Sequence, residues 1–219
     1  MSRNDYQRQL EQLREDVLEM SNIVCERLRR ALEALERKDE QLAEEIITSD
    51  HEINDLYLEL EQDCIDLLAL QQPVAGDLRF IAASFKIITD LERIGDLAVN
   101  LGEYTKRAER DRYPDIDIAY IGGETVEMVE AAMAAYATDD AAATGEIAGA
   151  DDEIDALCER ASEVVVQDLL ETEAGSQANL DDVSRMLLTV RDLERVGDHA
   201  VNIAARTLYM VENDDELIY

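Results

Sequence analysis

An all-α fold made of two tandem antiparallel three-helix bundles follows from three features of the sequence. Proline occurs twice and glycine nine times in 219 residues, while Leu, Ala, Glu and Arg dominate; such a composition favours long helices over strands. Apolar residues recur at steps of three and four, the period of a helix with one buried face. The phrase DLERIGDLAVN, Asp90 to Asn100, returns as DLERVGDHAVN, Asp192 to Asn202, identical at nine of eleven positions. A unit of about 100 residues used twice reads as domain duplication, because a solenoid needs more and shorter repeats.

Six helices follow in order. The first spans about Tyr6 to Glu36, where Leu10, Leu13, Val17, Met20, Val24, Leu28, Ala31 and Leu35 form one stripe. Asp39 caps the second, which continues to about Leu70. In QQPVAGDLR, Pro73 and Gly76 break the chain and Asp77 caps the third helix, Leu78 to about Glu109. RDRYPDID, with Pro114, is the candidate boundary between units 1–111 and 112–219. The fourth helix runs from about Ile118 to Ala137, and Asp139 or Asp140 caps the fifth, to about Leu170. Gly175 is the next breaker, and Asn179 caps the sixth helix, Leu180 to about Val211. The halves align: Asp50, Glu52 and Ile53 fall on Asp151, Glu153 and Ile154, and Asp39 on Asp140. Short loops make neighbouring helices antiparallel.

The charge is extreme, with 20 basic against 52 acidic residues and a net −32. Such a chain repels phosphate backbones and anionic headgroups, which argues against direct nucleic-acid or membrane-surface binding. The evenly acidic surface, with only Lys38, Lys86 and Lys106 as lysines, resembles cytosolic proteins of halophiles. No apolar run reaches the ~18–20 residues of a membrane span, and MSRNDYQRQL lacks a signal-peptide core. A cytoplasmic protein without membrane insertion is expected. Cys25, Cys64 and Cys158 form no CxxC and read as buried free thiols.

The repeated phrase places carboxylates on helix seams. Ile81, Phe85, Ile88, Glu92, Gly95, Val99 and Gly102 follow one another at steps of four and three, as do Val183, Leu187, Val190, Glu194, Gly197, Val201 and Ala204. Asp96 and Asn100 follow Glu92 at steps of four, and Asp198 and Asn202 follow Glu194, so each set is a ladder on one helix face. On the second and fifth helices, Asp50 with Asn54 and Asp151 with Asp155 form similar pairs. Ionised carboxylates in an apolar seam cost several kcal/mol each unless compensated. Arginine could pair with them, although Arg93 and Arg195 lie about 100° around the helix from the glutamates they follow. The seam could be shallow and wet, or a metal could bridge the oxygens. Oxygen-only ligands suit iron(III), manganese, magnesium or calcium. Gly95 and Gly197 allow either close helix packing or room for a bulky ligand. His51 and His199 adjoin seam aspartates but do not recur at matching positions, and read as exposed helix residues.

LERIGDLAVN, LERVGDHAVN and QQPVAGDLR together resemble the signatures of the PhoU family, regulators of phosphate uptake. The resemblance covers both repeats and the total length. It implies two three-helix bundles in a homodimer, with multinuclear iron or other metal clusters on paired E/DxxxD motifs. By position, the ligands are Glu92 and Asp96, then Glu194 and Asp198, faced by Asp50 with Asn54 and Asp151 with Asp155. The implied role is non-enzymatic: negative control of phosphate import and the starvation response through contact with the phosphate ABC transporter ATPase or a sensor kinase. The second repeat has ETEAGSQANLDD where the first has its proline motif, which marks Asp77 and Arg79 as partner-like or simply as a capped helix start. The alternative class is a carboxylate-bridged metal-binding or storage protein. Its ferritin-like form wants Glu-x-x-His, and no ExxH occurs in the chain. Glu194→Ala with Asp198→Ala should remove one metal site and spare the other.

Overall fold

The computed structural model describes residues 3–70, 74–107, 116–171 and 177–214, and its described residues are all-helical apart from turns and caps. The first repeat comprises α1 (Arg3–Arg37), α2 (Glu40–Thr48), α3 (Asp50–Leu70) and α4 (Ala75–Lys106). The second comprises α5 (Ile118–Thr138), α6 (Thr144–Glu171), which a short 3-10 turn at Ala141–Ala143 leads into, and α7 (Gln177–Glu212). In each repeat the three rods run antiparallel: Gly95 of α4 meets Ile53 of α3, and Gly197 of α7 meets Asp151 and Ile154 of α6. The boundary expected near Pro114, and the breakers Pro73 and Gly175, lie outside the described residues.

Local chemistry explains most helix ends. Asp39 accepts hydrogen bonds from the backbone N–H groups of Gln41 and Leu42, the expected cap. Asp140 does the same for Ala142 in the 3-10 turn, whereas Asp139 closes α5 instead of opening α6, at φ 56°. Its short polar side chain tolerates that left-handed backbone. The second expected helix is divided at Ser49, which ends α2 and precedes α3. Asp77 is not a cap: α4 starts after Val74, which is extended, and Asp77 sits in the first turn, where its negative charge complements the positive end of the helix dipole. Gly76 therefore lies inside α4 rather than breaking it. Likewise α7 begins at Gln177, so Asn179 falls within its first turn. Helix starts carry no obligatory sequence signal, and a side-chain cap is only one way to satisfy the free N–H groups.

The two repeats share one core. Met20, Leu28, Ile53, Ile88, Leu91 and Ile94 of the first belong to the same apolar cluster as Val129, Tyr136, Leu193, Val196 and Ile203 of the second. The centre is the antiparallel pair α4 and α7, flanked by α1 against α5. Arg14 of α1 fastens the outer pair. It donates to the Tyr136 carbonyl and to Asp139, and its guanidinium lies 4.8 Å from the Phe80 ring centre and 5.1 Å from that of Tyr136. A cation at a helix C-terminus over two aromatic faces is favourable on both counts. At the same end of α4, Arg79 Nε donates to the Met210 carbonyl at 3.4 Å, so this arginine ties α4 to α7. Cys25, Cys64 and Cys158 are buried free thiols.

Candidate functional site

The eight oxygen-bearing residues of the ladders form two separate groups, one per repeat. In the first, Asp50 and Asn54 at the start of α3 face Glu92 and Asp96 of α4. In the second, Asp151 and Asp155 of α6 face Glu194 and Asp198 of α7. The electrostatics record this proximity. Burial raises the Glu92 pKa first, then the charge of Asp96, with Asp50 adding to it. Burial also raises Asp96, with Asp50 next. Asp151 is pushed up to about 6 by burial, then by Asp155, Asp198, Asp152 and Glu194. Burial, followed by the neighbouring carboxylates, raises Asp155 and Glu194 as well.

The ladders stand at the rim of the helix seam rather than inside it. Glu92, Asp50, Asn54 and Asp151 are half-buried, while Asp96, Asp155, Glu194 and Asp198 are exposed. Straight helices of 3.6 residues per turn drift away from a 3.5-residue pattern, so the carboxylates that interrupt the heptads emerge at the edge of the apolar stripe. The surfaces are therefore shallow, and among the described residues no three His, Cys, Asp or Glu side chains are arranged to hold a single ion as they stand.

The glycines give close packing. A Cβ on Gly95 would lie 2.9 Å from Ile53 Cδ1, and one on Gly197 would lie 2.8 Å from Asp151 Oδ1. Gly197 thus creates the place where the Asp151 carboxylate turns inward. That oxygen is fully enclosed and accepts no hydrogen bond among the described residues, a costly state for a carboxylate.

Sequence reasoning missed a second set of polar contacts, made by the first aspartate of each repeated phrase. Asp192 is 0% exposed. It accepts from Tyr104 Oη at 2.8 Å and Asn100 Nδ2 at 3.2 Å across the α4–α7 interface, and from Arg191 Nε at 3.0 Å and Nη2 at 2.7 Å. Burial, then this bond to Asp192, pushes the Tyr104 phenol up to about 12. Asp90 pairs with His199 at 2.9 Å, and both are buried. His199 is therefore not an exposed residue: one step from Asp198 turns it about 100° toward α4. His51 is exposed, with its Nδ1 3.2 Å from the Thr48 carbonyl oxygen. The only signal available was that Asp90 and Asp192 repeat along with the glutamates. Near these contacts Arg93 and Arg195 line a hollow of about 230 Å³ with Asp96 and Asn100.

No helix among the described residues is long and apolar enough to cross a membrane. Comparison with known proteins gives one answer. The PhoU domain model matches residues 17–105 and again 118–207. The chain is 33% identical over 214 residues to a phosphate-specific transport system accessory protein PhoU homolog of Clostridium acetobutylicum, covering 96% of each chain. It is 32% identical over 209 residues to PhoU homolog 1 of Methanothermobacter thermautotrophicus, covering 94% of each. Among solved structures, PhoU from Pseudomonas aeruginosa superposes with TM-score 0.89 at 30% identity, over 95% of this chain and 100% of that one. The phosphate transport system regulatory protein PhoU from Streptococcus pneumoniae gives 0.88 at 27% identity, over 95% and 98%.

Proposed function

The chain belongs to the PhoU family, and from that premise we propose that it is a non-enzymatic regulator of phosphate uptake. It restrains a phosphate ABC transporter and the starvation response by contacting the transporter ATPase or a sensor kinase in the cytoplasm, as a homodimer. The observation that carries the reading is the antiparallel α4–α7 pair. It holds both copies of the repeated phrase at the centre of the molecule and leaves a carboxylate ladder on each flank. The relatives' names, which place them as accessory or regulatory parts of phosphate transport, support it.

The ladders serve this role as metal sites. Asp50, Asn54, Glu92 and Asp96 would hold ions in the first repeat, and Asp151, Asp155, Glu194 and Asp198 in the second. The enclosed, unbonded oxygen of Asp151 fits a cation, which would supply the positive partner that the fold does not. Hard ions such as iron(III) or manganese match an all-oxygen donor set, with magnesium and calcium as weaker candidates. The ion would lock α6 to α7 and present a fixed surface to a partner.

Two measurements test the proposal. Deleting the gene from its host should raise phosphate uptake and starvation-gene expression in phosphate-replete medium; unchanged uptake would remove the regulatory reading. Elemental analysis of protein purified in molar KCl without chelator should find iron or manganese, reduced in Glu194→Ala/Asp198→Ala; equal metal in variant and wild type would remove the ladder assignment.

A further inference from the structure

We infer that the two acidic groups are neutralised differently: Arg27 is a built-in cation that leaves the first repeat's ladder a weak metal site, and the second repeat takes the metal tightly. This rests on the metal reading above and deepens it. Arg27 and Met128 occupy equivalent positions, offset by the same 101 residues that relate Asp39 to Asp140 and Asp50 to Asp151.

In the first repeat the guanidinium of Arg27 is 5% exposed. Its Nη2 donates to the Ser49 carbonyl at 2.8 Å and to Glu52 at 3.2 Å, and its Nη1 lies 4.0 Å from Asp50 Oδ1. At the break between α2 and α3 the Ser49 carbonyl, which also accepts from the Glu52 backbone N–H at 3.1 Å, is turned toward it. Asn54 donates to the other Asp50 oxygen at 3.1 Å. One oxygen of Asp50 is therefore hydrogen-bonded, and the other lies beside a buried cation whose Nη1 donates no hydrogen bond among the described residues. Arg93 and Arg195 stand beside Asp96 around the 230 Å³ hollow. The group holds three carboxylates, one amide and a buried positive charge.

The second repeat reverses each feature. Met128 replaces the arginine, and its Cε lies 3.9 Å from the Cβ position of Gly197, beside Asp151 Oδ1. Asp155 replaces Asn54, so a donor becomes an acceptor. The helix α6 runs unbroken from Thr144 to Glu171, with no break at the position of Ser49. Asp151 Oδ1 has no hydrogen bond among the described residues. Asp155, Asp198 and Glu194 stand close enough to act on the Asp151 carboxylate, beside a polarisable thioether, and a cation of charge two or three that drew the four carboxylates together is the chemistry that would complete them.

The experiment uses full-length protein stripped with chelator in molar KCl and titrated with manganese(II), with free ion counted by electron paramagnetic resonance. Wild type should bind tightly at the second repeat: Glu194→Gln/Asp198→Asn should abolish the tight sites, and Glu92→Gln/Asp96→Asn should leave them. Exchanging the distinguishing residues should transfer the property. Met128→Arg should weaken tight binding at least tenfold, and Arg27→Met should add sites in the first repeat. Far-ultraviolet circular dichroism identifies any exchange variant that fails to fold, and the two carboxylate pairs, on the rim, then decide alone. Equal tight binding in both repeats, or its loss with the first pair only, overturns this inference and leaves the metal reading standing. No binding of manganese or iron in any protein overturns both.

Discussion

Nδ1 of His199 on α7 lies 2.9 Å from Oδ1 of Asp90 on α4, joining the two repeats through buried polar groups. Removing one partner strands the other, whereas removing both does not. His199→Leu and Asp90→Leu should each cost about 2–4 kcal/mol. The double variant should cost clearly less than the two together, a coupling read from urea midpoints in molar KCl. Additive losses would mean that the pair contributes nothing across the interface.

Glycine substitutions should divide by packing. Gly123 and Gly149 lie in helices with nothing within 4 Å of an added Cβ, so alanine there should stabilise by about 0.5–1 kcal/mol. Gly197→Ala gains the same propensity but forces the Asp151 carboxylate out, and should lose both stability and metal affinity. Thermal melts with and without manganese check both halves. A Gly197→Ala protein that behaves like Gly149→Ala would refute the close contact.

The pH response follows from Asp151, whose folded pKa rises from 3.8 to about 6. Between these values the folded state binds the extra proton, so metal-free protein should lose stability as pH rises from about 4 through 6. Manganese affinity should rise over the same interval, because the ion needs the ionised carboxylate. Urea denaturation at several pH values, repeated on Asp151→Asn, isolates the group: the variant should show a flatter profile.

A net charge of −32 predicts dependence on salt. At molar KCl the Debye length is about 3 Å and self-repulsion is screened; at 0.01 M it reaches about 30 Å. Helical circular dichroism should fall on dialysis into dilute buffer and return with KCl. A spectrum unchanged down to millimolar salt would set aside the halophilic reading.

The helices and the duplication were legible because both are periodic: Leu10 to Leu35 and Ile81 to Gly102 set a face at every turn, and the repeated phrase aligns the halves. The break at Ser49 was not legible. No proline or glycine marks it, and it is held by Arg27, distant in sequence. Glu92, Asp96, Glu194 and Asp198 were found from spacing, which left open whether they interrupt the seam or border it; they stand on its rim. Asp90 and Asp192 drew no assignment from the sequence, since their partners His199, Asn100 and Tyr104 come from the opposite repeat. Arg27 was passed over for a related reason: the contrast with Met128 is written in the 101-residue offset, but its meaning comes from contacts with Ser49, Glu52 and Asp50 that only the fold brings together.

The pairing of α4 with α7 has a consequence for the history and handling of the molecule. Each repeat supplies the other's inner wall, with Asp90 and Asp192 sealed into it. A chain cut at the repeat boundary would yield halves that bare an oily flank carrying a naked acid. A lone ancestral unit would have survived only by clasping a twin, and joining two such units in one chain made that embrace permanent. The present protein should consequently melt once, as a single cooperative body, despite being written twice.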